Sequence, residues 1–177
     1  MRVGDAGGVD FRVEQTYDAD ADDVARSYTE PALYEMIGAV SSLSRPEVLD
    51  RRTEDDRVLL QVRYRFAGQL SSAARRALDP AKLTWVEHST HDLADRRVAF
   101  RLVPDNYGDR FRASGTAVVT EGRSAATGPR AVRTVAGRLQ VKAPLVGGAV
   151  ERAIVSGLSD HLRTETGAVE RFLAARR

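Results

Sequence analysis

Hydrophobic and polar residues alternate along two segments in the first part of the chain. Residues 9–17, VDFRVEQTY, carry apolar side chains on one face and charged or polar side chains on the other. Residues 57–66, RVLLQVRYRF, follow the same pattern and place Tyr64 and Phe66 on the apolar face. A period of two is typical of a strand with one buried face. Both segments are therefore predicted to be half-buried strands.

Five further segments have strand character, which is weak in the first of them. They are residues 46–54, 82–90 (KLTWVEHST), 96–103 (RRVAFRLV), 111–121 (FRASGTAVVTE) and 131–142 (AVRTVAGRLQVK). The second and third are predicted to form a hairpin joined through HDLAD, with His91 in the turn. Repeated strands without intervening helices are typical of an antiparallel sheet. Residues 71–80, SSAARRALDP, interrupt the series and are compatible with either a short helix or an extended loop.

Two short helices are predicted after the first strand, within residues 18–40. Asp20 is suited to cap a helix, and the acidic residues that follow it would lie at the positive end of the helix dipole. Pro31 divides the segment in two, because proline fits the first turn of a helix and disrupts its interior.

A long amphipathic helix is predicted for residues 145–174, after Pro144. Its apolar positions recur with helical spacing and include Ile154 and Leu158. A helix of this length rises about 1.5 Å per residue and can cross a whole sheet. Gly157 lies toward one side of the apolar stripe, which predicts either a close approach of the sheet backbone or empty space there.

His161 and Glu165 interrupt the apolar stripe of this helix and lie one turn apart. In a solid apolar core each side chain would need a partner or would cost several kcal/mol. A cavity that holds water or a polar ligand group removes this cost, so we expect the pair to border a cavity. The alternatives are pairing with a strand side chain such as Arg138, or a second half of the helix that overhangs the sheet.

The composition indicates a globular protein of one domain. The chain has 177 residues, of which 42% are hydrophobic and 29% charged, and this balance is typical of a folded chain rather than a disordered one. We expect residues 1–8 to be flexible and residues 9–177 to form the domain. No apolar run reaches the roughly 18 residues of a membrane span, and MRVGDAGG lacks the apolar segment of a signal peptide. Cysteine is absent, which fits a reducing compartment, and we expect cytoplasmic localisation.

The net charge of +2 does not predict a nucleic-acid partner. Lysine occurs only at Lys82 and Lys142, so arginine supplies nearly all the positive charge. The arginine pairs are scattered among acidic residues, whereas a nucleic-acid site gathers basic and aromatic side chains on one face. We therefore expect no nucleic-acid partner.

Motifs for metal binding or nucleophilic catalysis are weak or absent. His88 and His91 would point to opposite faces of a strand, so their spacing does not predict a metal site. Asp18, Asp20 and Asp22 lack the glycine and the glutamate that complete a calcium loop. The sequence has no G-x-S-x-G nucleophile elbow, and VGGAV lacks the lysine of a phosphate-binding loop. We therefore predict no metal, no cofactor and no catalytic residue.

The chain resembles the domain-of-unknown-function family 2505, in the START-like (SRPBCC, helix-grip) superfamily. The resemblance covers about residues 9–173 and is carried by FRVEQTYDADADDV, KLTWVEHST, the PDNYGDRF region, GRLQVKAPLVGGAVERAIVSGL and HLRTETGAVERFL. It implies an α+β fold, in which an antiparallel sheet of about six to seven strands wraps around the long C-terminal helix. The family brings no established activity or catalytic motif, so no catalytic residue is carried over.

Members of the superfamily, which include lipid-transfer domains, hormone receptors and polyketide aromatase/cyclases, share a cavity between the sheet and the final helix. The resemblance implies the same cavity here, although alternation leaves open which strand faces point inward. Its candidate lining residues are Tyr64, Phe66, Trp85, Phe100, Phe111, Leu139, Ile154, Leu158, His161 and Glu165. We expect binding of a hydrophobic or amphipathic small molecule without catalysis. An aromatase/cyclase-like enzyme and a ligand-free interaction module are the alternatives, and the oligomeric state is open.

Overall fold

A seven-stranded antiparallel sheet and a long C-terminal helix make up most of the structure. The computed structural model describes residues 8–40, 46–65, 72, 75, 79–106, 108, 110–122, 128, 130–142 and 147–176. The strands are β1 (Val9–Tyr17), β2 (Glu47–Glu54), β3 (Arg57–Arg65), β4 (Thr84–Asp92), β5 (Arg97–Pro104), β6 (Phe111–Glu121) and β7 (Ala131–Val141). Their order in the sheet is β1-β7-β6-β5-β4-β3-β2, and neighbouring strands run antiparallel.

Two short helices follow the first strand and a long helix follows the last. They are α1 (Ala21–Ser27), α2 (Pro31–Val40) and α3 (Gly147–Ala174). Asp20 caps α1, because its carboxylate accepts a hydrogen bond from the Asp22 backbone N–H at 2.8 Å. This arrangement confirms the α+β fold predicted from the sequence. None of the helices in the described ranges is long and apolar enough to cross a membrane.

Some sequence predictions concern residues outside the described part of the chain. They are Phe66, Pro144, most of the segment 71–80 and all of the segment 1–8 except Gly8. The strand predicted for residues 57–66 is observed as β3, which is described through Arg65.

The prediction that His91 lies in a turn is wrong. β4 continues through Asp92, and the turn to β5 occupies residues 93–96. The Asp92 carboxylate accepts a hydrogen bond from the Asp95 backbone N–H at 3.1 Å, and Arg96 has a positive φ of 50°. Because the chain reverses after Asp92, His91 stays in the sheet with its side chain buried.

The largest cluster of buried hydrophobic residues in the described part of the chain includes the C-terminal half of α3. Val169 and Phe172 of that half pack in one cluster with Leu33 and Ile37 of α2. The preceding half of α3 meets the sheet through side chains that stay partly exposed, among them Ile154. The side chains of α3 that face the sheet are therefore more completely buried toward its C-terminal end than nearer its start.

Two facing glycines make room for aromatic rings on the concave face of the sheet. Gly115 in β6 and Gly137 in β7 are directly opposite each other. A side-chain carbon at Gly137 would come within 2.8 Å of the Phe11 ring, and one at Gly115 within 2.7 Å of the Phe100 ring. Both distances are shorter than a van der Waals contact between carbon atoms. The glycines thus allow Phe11 and Phe100 to lie across the strands and form part of the cavity wall described next.

Candidate functional site

The concave face of the sheet and α3 enclose a cavity of about 100 Å³. Nine of the ten side chains predicted to line a cavity lie on its wall: Tyr64, Trp85, Phe100, Phe111, Leu139, Ile154, Leu158, His161 and Glu165. The tenth, Phe66, lies outside the described residues. The wall also contains polar residues that the sequence prediction omitted: Tyr28, Tyr34, Glu87, His91 and Arg133.

A row of aromatic rings from β3, β4 and β6 forms the apolar side of the cavity. Tyr64 and Trp85 are cross-strand partners, and their rings stack with centroids 6.1 Å apart and planes 19° apart. The Trp85 ring lies 6.2 Å from the Phe111 ring. Leu139 and Ile154 belong to the same apolar cluster. This surface suits the apolar part of a small molecule.

A hydrogen-bonded cluster around Glu165 forms the polar side of the cavity. The Tyr28 hydroxyl donates to Glu165 Oε1 at 2.5 Å, and it lies 2.8 Å from the Tyr17 hydroxyl. Arg133 Nη1 lies 3.4 Å from the same carboxylate oxygen and donates to Gln15 Oε1 at 2.6 Å. The Arg133 guanidinium also lies 3.9 Å from the centre of the Tyr28 ring. Glu165 and Arg133 are therefore a buried ion pair with further hydrogen bonds to each partner.

The strand partner of Glu165 is Arg133, and the suggested pairing with Arg138 is wrong. Arg138 points to the opposite face of β7, where it is exposed and lies 3.7 Å from Asp10. Arg133 shares its face with Leu139, because successive side chains of a strand alternate between the two faces. The sequence indicates this placement of Arg133, because residues an even number of positions apart on a strand share a face and Arg133 precedes Leu139 by six positions.

His161 lies between the polar cluster and the aromatic row. Its Nε2 atom is 3.5 Å from Glu165 Oε2, and its ring meets the Tyr64 ring edge-on, with centroids 6.2 Å apart. Burial lowers the pKa of His161. The negative charge of Glu165 opposes this shift, whereas the positive charge of Arg133 adds to it. A neutral imidazole on a cavity wall can donate or accept a hydrogen bond.

Glu87 projects from the concave face of β4, two positions after Trp85. Its cross-strand neighbours are Val62 in β3 and Leu102 in β5, so apolar side chains flank the carboxyl group on both sides. Within the described part of the chain it has no hydrogen-bond or ion-pair partner. Burial raises the pKa of Glu87 to about 7, although the charge of Arg133 opposes the shift.

His91 is a second titratable side chain on the concave face of β4, and it is buried. Its Nε2 atom lies 3.0 Å from Ser89 Oγ, whereas its Nδ1 atom is buried without a hydrogen-bond partner among the described residues. Burial, together with the positive charges of Arg133 and Arg51, lowers the pKa of His91 to about 4. His91 is therefore neutral at pH 7. Alternation along β4 would place His91 on the same face as Trp85 and Glu87. The sequence prediction missed this placement because it assigned His91 to the turn.

The described residues contain no group of three or more His, Asp or Glu side chains placed to hold a metal ion. His88 lies on the outer face of β4, opposite His91. All three aspartates considered for a calcium loop have structural partners instead, and Asp18 Oδ1 lies 3.3 Å from Arg130 Nη2. Asp20 caps α1, and Asp22 lies 2.7 Å from the Arg96 guanidinium.

The sheet wrapped around α3, with a cavity between them, defines a START-like domain. The chain belongs to the family described as Protein of unknown function (DUF2505), whose model matches residues 12–173. The resemblance noted in the sequence is thereby confirmed. No curated protein sequence matches the chain.

Solved structures with the same fold come from several organisms. TTHA0849 from Thermus thermophilus is 18% identical, with a TM-score of 0.61 over 95% of this chain and 99% of that one. The Zhui aromatase/cyclase from Streptomyces sp. R1128 is 13% identical, with a TM-score of 0.64 over 96% of both chains. Norcoclaurine synthase from Thalictrum flavum is 15% identical, with a TM-score of 0.61 over 95% of this chain and 87% of that one. At these identities the similarity establishes the fold alone.

Proposed function

We propose that this protein binds a hydrophobic or amphipathic small molecule in the cavity between the sheet and α3, without transforming it. The observation that carries the proposal is the combination of an aromatic wall and a buried polar cluster around one enclosed space. Small-molecule sites are usually concave and mostly apolar, with a few placed polar groups. The START-like fold supports the proposal, because the cavity lies where that fold has one.

Binding requires the cavity to widen. Its volume of about 100 Å³ is smaller than the roughly 150 Å³ of a cavity that holds benzene. A second pocket of about 20 Å³ shares Trp85, Phe111 and Ile154 with the main cavity. Displacement of these three side chains would join the two spaces, and we propose that they move when a ligand enters.

Apolar contact supplies most of the binding energy in this proposal, at about 25 cal/mol for each Å² of apolar surface removed from water. Losses of side-chain freedom offset part of that gain. His161 and Tyr64 would contact the polar end of the ligand. Glu165 would act by holding His161 and Arg133 in place, because its Oε1 atom already accepts from Tyr28 and faces Arg133.

Replacement of two alanines on neighbouring strands by phenylalanine tests the location of the site. Ala113 is buried on the cavity wall in β6, so Ala113→Phe should fill much of the space. Ala99 is exposed on the outer face of β5, so Ala99→Phe adds the same group away from the cavity. We expect Ala113→Phe to weaken binding of the uncharged fluorophore N-phenyl-1-naphthylamine by about tenfold or more. Ala99→Phe should bind like the wild type.

Trp85 provides the readout, because it is the only tryptophan of the chain and borders the cavity. Its emission should fall by energy transfer to bound N-phenyl-1-naphthylamine, and native mass spectrometry should give the stoichiometry. Equal binding by the two variants would contradict the proposed site. If the folded wild type binds neither this probe nor a lipid mixture, a ligand-free interaction module is favoured instead.

An enzyme that uses the same cavity is the second candidate function. It is favoured by the pKa of Glu87, which burial raises to about 7, and by the position of His161 on the same cavity wall. One of the similar structures is an aromatase/cyclase. This function predicts turnover of a polyketide-like substrate with a bell-shaped pH–rate profile that is lost in His161→Ala. Binding of such a compound without turnover would support carriage rather than catalysis.

A further inference from the structure

Glu87 gives the cavity a polar group that the proposed binding function leaves unused. Its carboxyl group borders the cavity from the middle of β4, between Val62 and Leu102 of the neighbouring strands. In the described part of the chain no side chain or backbone group donates a hydrogen bond to it. The Glu87 side chain is only partly buried, so its carboxyl group keeps some access to water. A ligand that displaces this water gains more than contact area if it supplies a partner for the carboxyl group.

The positive charge of Arg133 is already compensated within the protein. Glu165 lies 3.4 Å from its guanidinium, Gln15 accepts a hydrogen bond from it at 2.6 Å, and the Tyr28 ring covers it at 3.9 Å. An anionic ligand would compete with Glu165 for this charge and would also meet the carboxyl group of Glu87. The charges around the cavity therefore disfavour a carboxylate head group.

Aromatic rings lie close to the Glu87 carboxyl group. Trp85 is on the same face of β4, and its ring stacks on that of Tyr64. Burial raises the pKa values of the Tyr34 and Tyr64 hydroxyls, and the charge of Glu87 raises both further, so the two hydroxyls lie within electrostatic reach of the carboxyl group. The faces of tyrosine and tryptophan rings attract cations.

We propose that the ligand carries a protonated amine that pairs with the Glu87 carboxylate, while its apolar part lies against Trp85, Phe111 and Leu139. This inference rests on the proposed binding function and names the class of ligand. An ammonium group donates charge-assisted hydrogen bonds to a carboxylate, and such bonds are stronger than those between neutral groups. The rings of Tyr64 and Trp85 add a cation–π attraction.

The protonation of Glu87 determines when this pairing can form. Burial raises the pKa of Glu87 to about 7, with Arg133 opposing the shift and Glu165 adding to it. The titratable and charged groups that border the cavity with Glu87 are Tyr28, Tyr34, Tyr64, His91, Arg133, His161 and Glu165. A bound ammonium favours the ionised carboxylate, because opposite charges stabilise each other. Amine binding should therefore release protons near pH 7 and weaken as the pH falls.

Three eight-carbon ligands that differ in the charge of the head group test the inference. We expect octylamine to displace N-phenyl-1-naphthylamine at a concentration about tenfold or more below that needed for octanoate at pH 8. At pH 6 the affinity for octylamine should be about tenfold lower than at pH 8, because most Glu87 side chains are then protonated. Isothermal titration calorimetry in two buffers of different ionisation enthalpy measures the released protons directly.

Glu87→Gln removes the charge and preserves the size of the side chain. We expect it to lower octylamine affinity about tenfold, while the affinity for octan-1-ol changes by less than about threefold. Glu47→Gln is the matched control, because it removes an exposed carboxylate from β2. Circular dichroism establishes that each variant is folded, and Glu87→Met serves as a second variant without charge.

The outcomes separate this inference from the function on which it rests. If the wild type binds N-phenyl-1-naphthylamine but octanoate or octan-1-ol displaces it as well as octylamine does, the amine inference is overturned and the binding function stands. The same holds if Glu87→Gln retains full octylamine affinity. If the wild type binds none of the four compounds, both the binding function and the amine inference are overturned.

Discussion

His91 is buried in β4 as a neutral side chain, and this makes the stability of the fold depend on pH. Burial and the charges of Arg133 and Arg51 lower its pKa from 6.5 to about 4. Below pH 6.5 the unfolded chain binds a proton at this position, whereas the folded protein does not until about pH 4. The stabilisation is therefore complete above pH 6.5 and is lost as the pH falls. The expected loss is about 3 kcal/mol.

Replacement of His91 by glutamine should remove this dependence and keep a hydrogen-bonding group near Ser89. Urea unfolding of wild type and His91→Gln at each pH gives the difference in free energy of unfolding, in which contributions common to both proteins cancel. We expect the free energy of unfolding of the wild type to fall by more than that of His91→Gln between pH 7 and pH 4.5. His88→Gln, on the outer face of the same strand, should keep most of the wild-type dependence. A difference that does not change with pH would contradict the buried neutral state.

The candidate site residues on α3 stand out in the sequence, whereas the polar ones on the strands are harder to recognise. His161 and Glu165 are conspicuous, because polar side chains interrupt an apolar helical stripe. Arg133 and Glu87 lie on strands, where polar residues alternate with apolar ones as a matter of course. Whether such a residue faces the cavity depends on which face the helix covers, and that is fixed by the pairing of distant segments.

Replacement by alanine should have opposite effects on stability at Gly137 in β7 and at Gly167 in α3. A side-chain carbon at Gly137 would meet the Ser114 carbonyl oxygen at 2.5 Å and the Phe11 ring at 2.8 Å. We expect Gly137→Ala to lower the free energy of unfolding by about 1–3 kcal/mol, because the strand or the ring must move. At Gly167 the nearest group is Arg171 Nη1, at 3.6 Å. Gly167→Ala should therefore raise stability by up to about 1 kcal/mol through helix propensity.

Urea denaturation of both glycine variants measures these effects. The helix variant is the control, because it adds the same methyl group in a place where nothing obstructs it. Loss of stability in both variants would mean that Gly167 has a packing role. Unchanged stability in Gly137→Ala would mean that β6 and β7 can separate without cost, and that Phe11 does not depend on the glycine for its position.

The hydrophobic pattern predicted the strands of the sheet and the helices α1, α2 and α3, because strands and helices have distinct periods. Turns were less predictable. The connection between β4 and β5 was placed too early, since the hydrogen bond of the Asp92 carboxylate and the positive φ of Arg96 determine where the chain reverses. Neither feature leaves a hydrophobic signal, so the pattern alone cannot locate the turn to within a residue.

The molecule as a whole holds α3 at both ends and leaves its middle over the cavity. Near the start of the helix, the Glu151 carboxylate accepts a hydrogen bond from the Val141 backbone N–H at 2.7 Å. Near its end, Val169 and Phe172 are buried in the cluster with α1 and α2. Between these anchors, Leu158 is only partly buried on the cavity wall. The middle of the helix also contacts the sheet, because Leu162 packs in one cluster with Phe11 and Val135. The cavity therefore lies beneath a stretch of α3 whose side chains are less completely buried than those of its C-terminal end.

This division predicts uneven protection of α3 from hydrogen exchange. Backbone amides in residues 152–160 should exchange faster than those in residues 165–173, because local opening is easier where few apolar side chains are buried. Bound N-phenyl-1-naphthylamine should slow exchange in the first segment and leave most of the second nearly unchanged, since Glu165 is the one residue of the second segment that lines the cavity. Hydrogen exchange followed by mass spectrometry of peptides from both segments measures this. Equal protection of the two segments without ligand would mean that α3 opens as one unit, and that the cavity does not weaken its support.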